Sequence, residues 1–278
     1  MLEVKQLSKG ASFDVEFLDV GSIRESTKPH RHEYFEVFWV ISGNGNQSID
    51  FVKYDMSPRK MFFITPGQVH DVHELPESIY AISFNAEFVS SQVQSQLPID
   101  KLFLQNRRDK PYVELDEIGQ VHLTNLIKII EQELSSSEPD RSLMSTLLVA
   151  FLRYVMRFLE EEVQSYSLKD TRMVNILELI EDNFTNRKDT SFYADRLAMT
   201  NKRLNELTKE QFSKTVTQLI HDKIIVEARR LLAFTDKTIK AIGIELGYHD
   251  ISYFCRFFKR ISGITPQKFR EDWFNKNN

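Results

Sequence analysis

Apolar and polar positions alternate in short runs over the first hundred residues. "FDVEF" alternates residue by residue, "EYFEVFWVIS" is a longer apolar run closed by "GNGN", and "MFFIT" and "IYAISF" follow between Pro, Gly and Asn. Alternation of period two between turn residues predicts strands, and many short ones predict an antiparallel sandwich or small barrel. The period then lengthens. Ile118, Leu123, Leu126, Ile127, Ile130 and Leu134 recur at helical spacing, "SSSEPD" interrupts, and Leu147, Leu148, Phe151, Leu152, Val155, Phe158 and Leu159 resume it. This predicts a helical hairpin over about residues 117–163, each helix carrying an apolar stripe that needs a partner. Two partners suit it: the strand domain itself, or a second subunit.

"SYSLKD", residues 165–170, is polar and reads as a linker between a first domain, 1–164, and a second, 171–278. The second domain is helical throughout, with helices expected at 172–184, 191–198, 201–212, 215–234, 238–246, 249–262 and 266–274. The fold class is thus α+β in two domains, strands and a helical hairpin first, an all-α domain after.

Two stretches of the second domain have the form of a helix-turn-helix unit, in which the second helix enters the DNA major groove. In "TSFYADRLAMTNKRLNELTKEQF", Thr190 or Ser191 is the expected cap, Ala194, Leu197 and Ala198 face inward, and "MTN" turns into helix 201–212. In "DKTIKAIGIELGYHDISYFCRFFKR", Asp236 is the expected cap, Ile239, Ile242 and Leu246 face inward, Gly247 turns, and His249 opens the next helix. Between them "TVTQLIHDKIIVEARRLLAF" contains neither Gly nor Pro. At 1.5 Å per residue it spans roughly 30 Å, close to the roughly 34 Å between successive major-groove faces of B-DNA.

On the last reading helix, Phe254, Phe258 and Ile261 form the expected inward stripe, while Ser252, Cys255, Arg256 and Lys259 fall opposite. Arg256 suits guanine O6 and N7, Ile251 a thymine methyl, and Lys259 and Lys268 suit phosphates. On the earlier helix Lys202, Asn205, Glu206 and Lys209 share the outward face, with Leu204 and Leu207 inward. Asn205 suits adenine and Glu206 cytosine N4.

Charge sharpens this reading. The chain carries a formal net charge of −4, but residues 171–278 hold 19 Lys and Arg against 14 Asp and Glu, and residues 1–170 hold 17 against 26. A basic half joined to an acidic one points to a polyanionic partner for the former. The single cysteine, Cys255, excludes an intramolecular disulfide. No signal-like segment or membrane-length apolar run occurs, so a cytoplasmic location is expected, with no membrane partner.

"IGIELGYHDISYFCRFFKRISGITPQKFR" closely resembles the C-terminal signature of AraC-type transcription regulators, and the likeness extends over about residues 171–274. It implies base-reading roles for Ile251, Ser252, Cys255 and Arg256, and for Lys202, Asn205 and Glu206. In the first unit Thr208 stands where the family usually has an aromatic core residue. "PHRHEYFEVFWVISGNG" and "FFITPGQVH" resemble the cupin-type sensor barrel of many such regulators. In cupin enzymes the positions of His30, His32, Glu36 and His70 bind metal. Thr65 and Glu74 depart from the enzyme pattern, and regulators commonly keep the barrel without the ion. No cofactor is therefore expected, and the four residues, with Phe38, are assigned to an effector pocket, metal coordination being kept as the alternative.

The expected function is a one-component regulator, binding promoter DNA and a small-molecule effector. It is expected to form a homodimer through about residues 117–163, and to engage RNA polymerase if it activates. The competing reading is a cupin metalloenzyme, a dioxygenase or isomerase, with a helical appendage. A sugar-binding module without DNA activity would leave both spaced units unexplained.

Overall fold

A computed structural model of the chain describes residues 3–5, 7, 12–19, 28–90, 103, 110–163 and 172–277. It divides into two compact units, residues 3–165 and residues 166–278. The expected linker, 165–170, lies outside the described residues.

The first unit is built on two five-stranded sheets. One contains β1 (Glu3–Lys5), β3 (His30–His32), β8 (Val69–Glu74), β5 (Gly45–Ile49) and β6 (Val52–Met56), in that order. The other runs β10 (Tyr112–Glu114), β7 (Lys60–Ile64), β4 (Phe35–Ser42), β9 (Ser78–Phe84) and β2 (Phe13–Asp19). Among the described residues the strands of this cupin-like domain form these two sheets and do not join into a closed barrel. All pairings are antiparallel except β1 on β3, which is parallel.

Alternation within β4 explains how the layers stack. Phe38 and Val40 join Phe62, Ile64, Ile79 and Ala81 of their own sheet and Ile49, Met56 and Val72 of the other in one buried cluster. Val37 and Trp39 point the other way, into a second cluster with Phe63, Ile82 and Phe84. That second cluster is roofed by α2 (Glu117–Leu134) and α3 (Arg141–Val163), through Leu123, Ile127, Ile130, Leu148, Phe151 and Val155. β4, β7 and β9 are apolar on both faces because both are covered, which accounts for the unbroken run "FEVFWVIS". A short helix, α1 (Ala86–Ser90), leads from β9 and anchors to α3 where the Ser145 hydroxyl donates to the Phe88 carbonyl, 2.9 Å. The hairpin's inner stripes therefore pack on the strand domain. Ile118, Val121 and Ile129 of α2 remain exposed.

The second unit contains α4 (Arg172–Asn183), α5 (Thr190–Arg196), α6 (Asn201–Phe212), α7 (Val216–Phe234), α8 (Ile239–Glu245), α9 (Ile251–Ser262) and α10 (Pro266–Asn277). Several starts differ from the sequence expectation. Asp189, not Thr190 or Ser191, caps α5, accepting from Phe192 N–H. Thr238, not Asp236, caps α8, and α9, expected to open at His249, starts at Ile251 with Asp250 as its cap. In each case the cap is the residue whose side-chain oxygen reaches the N–H two or three positions on. α7 opens with a capping box of Thr215 and Gln218 and buries Ile220, Ile224, Ala228 and Leu232 along one face. Its 19 residues span roughly 28 Å.

Candidate nucleic-acid interface and effector site

Both reading helices keep an apolar side in and a polar side out. On α6, Leu204 and Leu207 are buried, as is Thr208, while Lys202, Glu206 and Lys209 are exposed. Glu206 stands 4.0 Å from Lys202 and 3.6 Å from Arg203, so its carboxylate is shared with neighbours on its own helix. Asn205 is half-buried and its Oδ1 accepts from Val216 N–H, 3.1 Å. That bond ties α6 to the start of α7. A bidentate adenine contact needs the same oxygen, so the role expected of Asn205 would require the tie to open.

On α9 the buried side chains are Phe254, Phe257 and Phe258. Phe257, not the expected Ile261, completes the inward stripe; Ile261 is exposed. The three rings meet Tyr248, His221 and Phe269. This fixes the opposite side: Ser252, Arg256 and Lys259 are exposed, Ile251 and Cys255 half-buried. Arg256 is 68% exposed in its side chain and, among the described residues, its ion-pair partner is Asp250 at 3.9 Å, so its guanidinium is available for an external acceptor. Burial pushes the Cys255 thiol up, away from a reactive thiolate. Lys268, on α10, pairs with Asp272 at 2.9 Å.

The turn before α9 is held from outside the second unit's own helices. Gly247 has φ +74°, and the Lys188 ammonium donates to the carbonyls of Thr185 (2.6 Å) and Gly247 (3.1 Å) while lying over the Tyr248 ring. The segment between α4 and α5 thereby grips the turn of the second helix-turn-helix. Periodicity carried no sign of this lysine.

In the first unit, His30, His32 and His70 are buried and together, with ligating atoms all within 4.8 Å. Glu36 joins them: its Oε2 is 3.4 Å from His32 Nε2 and 3.5 Å from His70 Nε2. On one continuous strand, residues 30, 32 and 36 would share a face. Instead the strand breaks at Glu33 and Tyr34, and the histidines of β3 and β8 face Glu36 of β4 from the opposite sheet. Phe38, two residues on, packs on His70 at 5.4 Å between ring centres. Burial moves these groups toward neutrality: Glu36 rises to about 8, and His32 falls to about 3, with His70 also lowered. Ser83 donates to Glu36 Oε1 at 3.4 Å.

Gln47 escaped the sequence reading. On β5 it is fully buried, and neither its Oε1 nor its Nε2 has a partner among the described residues. Its signal was phase: Gly45, Gln47 and Ile49 share the buried face, so a glutamine occupies a core position.

Residues 12–152 match the AraC-like ligand binding domain family, and residues 193–272 match a helix-turn-helix domain family. The chain belongs to the AraC family of transcription regulators. Among relatives of this AraC-type chain, the HTH-type transcriptional activator RhaR of Salmonella dublin is 24% identical over 246 residues, 87% of this chain and 86% of that protein. Among solved structures, ToxT from Vibrio cholerae covers 94% of this chain and 98% of its own, at 16% identity and TM-score 0.46. The C-terminal domain of the response regulator yesN from Fusobacterium nucleatum covers 36% of this chain and 99% of its own, at 24% identity and TM-score 0.35. The ligand-binding and helix-turn-helix matches together favour an effector-responsive DNA-binding regulator over a cupin metalloenzyme with a helical appendage. No helix among the described residues is long and apolar enough to cross a membrane.

Proposed function

We propose that this AraC-type regulator reads promoter DNA with α6 and α9 and takes its effector between the two sheets of the first unit. The observation that carries the DNA assignment is Arg256, exposed on a helix whose other side is fixed by three buried phenylalanines. Ser252, Cys255 and Ile251 supply small or apolar surface beside it, and Lys259 suits a phosphate. On α6, Lys202 and Lys209 are phosphate contacts, and Glu206 reads cytosine N4 only after leaving its two cationic neighbours.

The effector contacts are Gln47, Phe38 and the group of His30, His32, Glu36 and His70. A buried amide with no partner among the described residues favours a ligand that supplies a donor and an acceptor. For the effector to switch anything it must bind one state of the protein better than another. The exposed apolar face of α2 supports a homodimer through the helical hairpin. RhaR is named as an activator, which supports activation here and RNA polymerase as a partner. A cytoplasmic location follows from that role.

Footprinting of the purified chain on DNA upstream of its own gene and its neighbours tests this. Protection of two sites one helical turn apart is expected, altered by the effector among candidate small molecules. Equal affinity for random duplex under every condition would sink the reading.

A further inference from the structure

We infer that Lys188 is a positioning residue for base reading: its ammonium fastens the first helix-turn-helix to the turn that aims α9. The inference rests on the regulator reading and deepens it, since it names what sets the second reading helix against the first.

The turn before α9 satisfies its own N–H groups. Gly247 N–H donates to the Ile244 carbonyl at 2.9 Å and Tyr248 N–H to the Gly243 carbonyl at 2.8 Å, the paired closure that a left-handed glycine allows after a helix. The Gly247 carbonyl takes no part in that closure. It accepts from Lys188 Nζ at 3.1 Å, and the Thr185 carbonyl accepts from the same ammonium at 2.6 Å. The two segments approach so closely that a Cβ on Gly247 would lie 1.8 Å from the Thr185 oxygen. Two carbonyl oxygens brought together repel, and a shared cation turns that contact into an attraction. The Tyr248 ring, 4.7 Å from Nζ, adds a cation–π contact.

The other end of the tie is anchored on the first helix-turn-helix. Tyr193, fully buried in α5, donates from its hydroxyl to the Arg187 carbonyl at 2.7 Å, and Asp189 caps the same helix. Lys188 stands between these two anchors, so its backbone belongs to the first motif while its ammonium belongs to the second. Along the chain the two motifs are joined by α7; Lys188 joins them through space. The corresponding turn of the first motif is at Ala198, φ +51°. It is closed by the N–H groups of Ala198 on Asp195 (3.2 Å) and Met199 on Ala194 (2.9 Å), and among the described residues no ammonium or guanidinium donates to it. Loss of the Lys188 ammonium is therefore felt at α9 and not at α6. A bidentate contact from Arg256 depends on how α9 enters the groove, so a loosened turn weakens base reading at that helix alone.

The test compares the full chain with Lys188→Met, first by hydrogen exchange over residues 244–252 and 201–212. Exchange over 244–252 should rise by about tenfold, as hydrogen bonds to a charged group are lost, while 201–212 keeps its rate. No rise over 244–252, or an equal rise in both, overturns the proposal. Footprinting follows. The site whose base preference Arg256→Ala flattens should lose protection by about tenfold in Lys188→Met, with the neighbouring site kept. Equal weakening of both sites marks a general loss of stability and overturns the positioning role, as does unchanged protection. If Lys188→Met loses its far-UV circular dichroism, Lys188→Gln takes its place in both measurements. Absence of any footprint from the unaltered chain counts against the regulator reading, and hydrogen exchange then decides by itself whether Lys188 holds α9.

Discussion

A glutamine with both amide atoms buried and unpartnered costs stability in the absence of a ligand. Replacing Gln47 by Leu removes that cost, so Gln47→Leu should raise stability by about 1–3 kcal/mol in chemical denaturation. The same change should abolish the response to effector while leaving basal DNA binding intact. A destabilised variant that still responds would show that the amide is a structural partner. Arg256 is the counterpart in the second unit. Arg256→Ala should relax specificity at one base pair and cost roughly 1–3 kcal/mol in binding, read as a flattened position in a sequence-randomised binding profile. The exposure of Arg256 was legible from spacing alone, because helical period puts it opposite Phe254 and Phe258. Asn205 was not fully legible. Its side-chain oxygen bonds a backbone N–H eleven residues away, and no local pattern encodes that.

Turns and caps decide how the reading helices are presented. Gly247 and Gly263 both have positive φ, +74° and +78°, but their surroundings differ. A Cβ on Gly247 would lie 1.8 Å from the Thr185 carbonyl oxygen, whereas one on Gly263 meets nothing within 4 Å. Gly263→Ala should therefore cost only about 1 kcal/mol, the left-handed penalty. Gly247→Ala should cost that and more, since backbone must move, and should loosen the grip of Lys188. Parallel denaturation curves check the ranking; equal costs would refute the close approach. The helices and their order were readable from period and breakers. Their first residues were read less well, since Asp189, Thr238 and Asp250 won the capping positions through side-chain geometry that neighbouring Thr, Ser and Asp could equally have offered in sequence.

The hairpin divides its apolar positions between two tasks. One stripe of α2 and α3 is consumed by the sheet beneath it, while Ile118, Val121 and Ile129 are 64%, 58% and 47% exposed. If that face pairs two copies, Ile118→Glu with Val121→Glu should shift sedimentation from dimer to monomer with little change in unfolding temperature. A lowered unfolding temperature at unchanged mass would instead assign the face to the fold. Alternation and helical period were enough to separate a strand-rich part from a helical one, to find two helix-turn-helix units, and to select Arg256, because these are local properties of the chain repeated every two or every 3.6 residues. The order of strands in each sheet, the meeting of β3 and β8 histidines with Glu36 across them, the isolation of Gln47 among the described residues and the hold of Lys188 on Gly247 came only with the tertiary structure. Each depends on which distant segments pack together, and burial energy is the same for any partner that excludes water, so hydrophobic pattern alone does not name the partner.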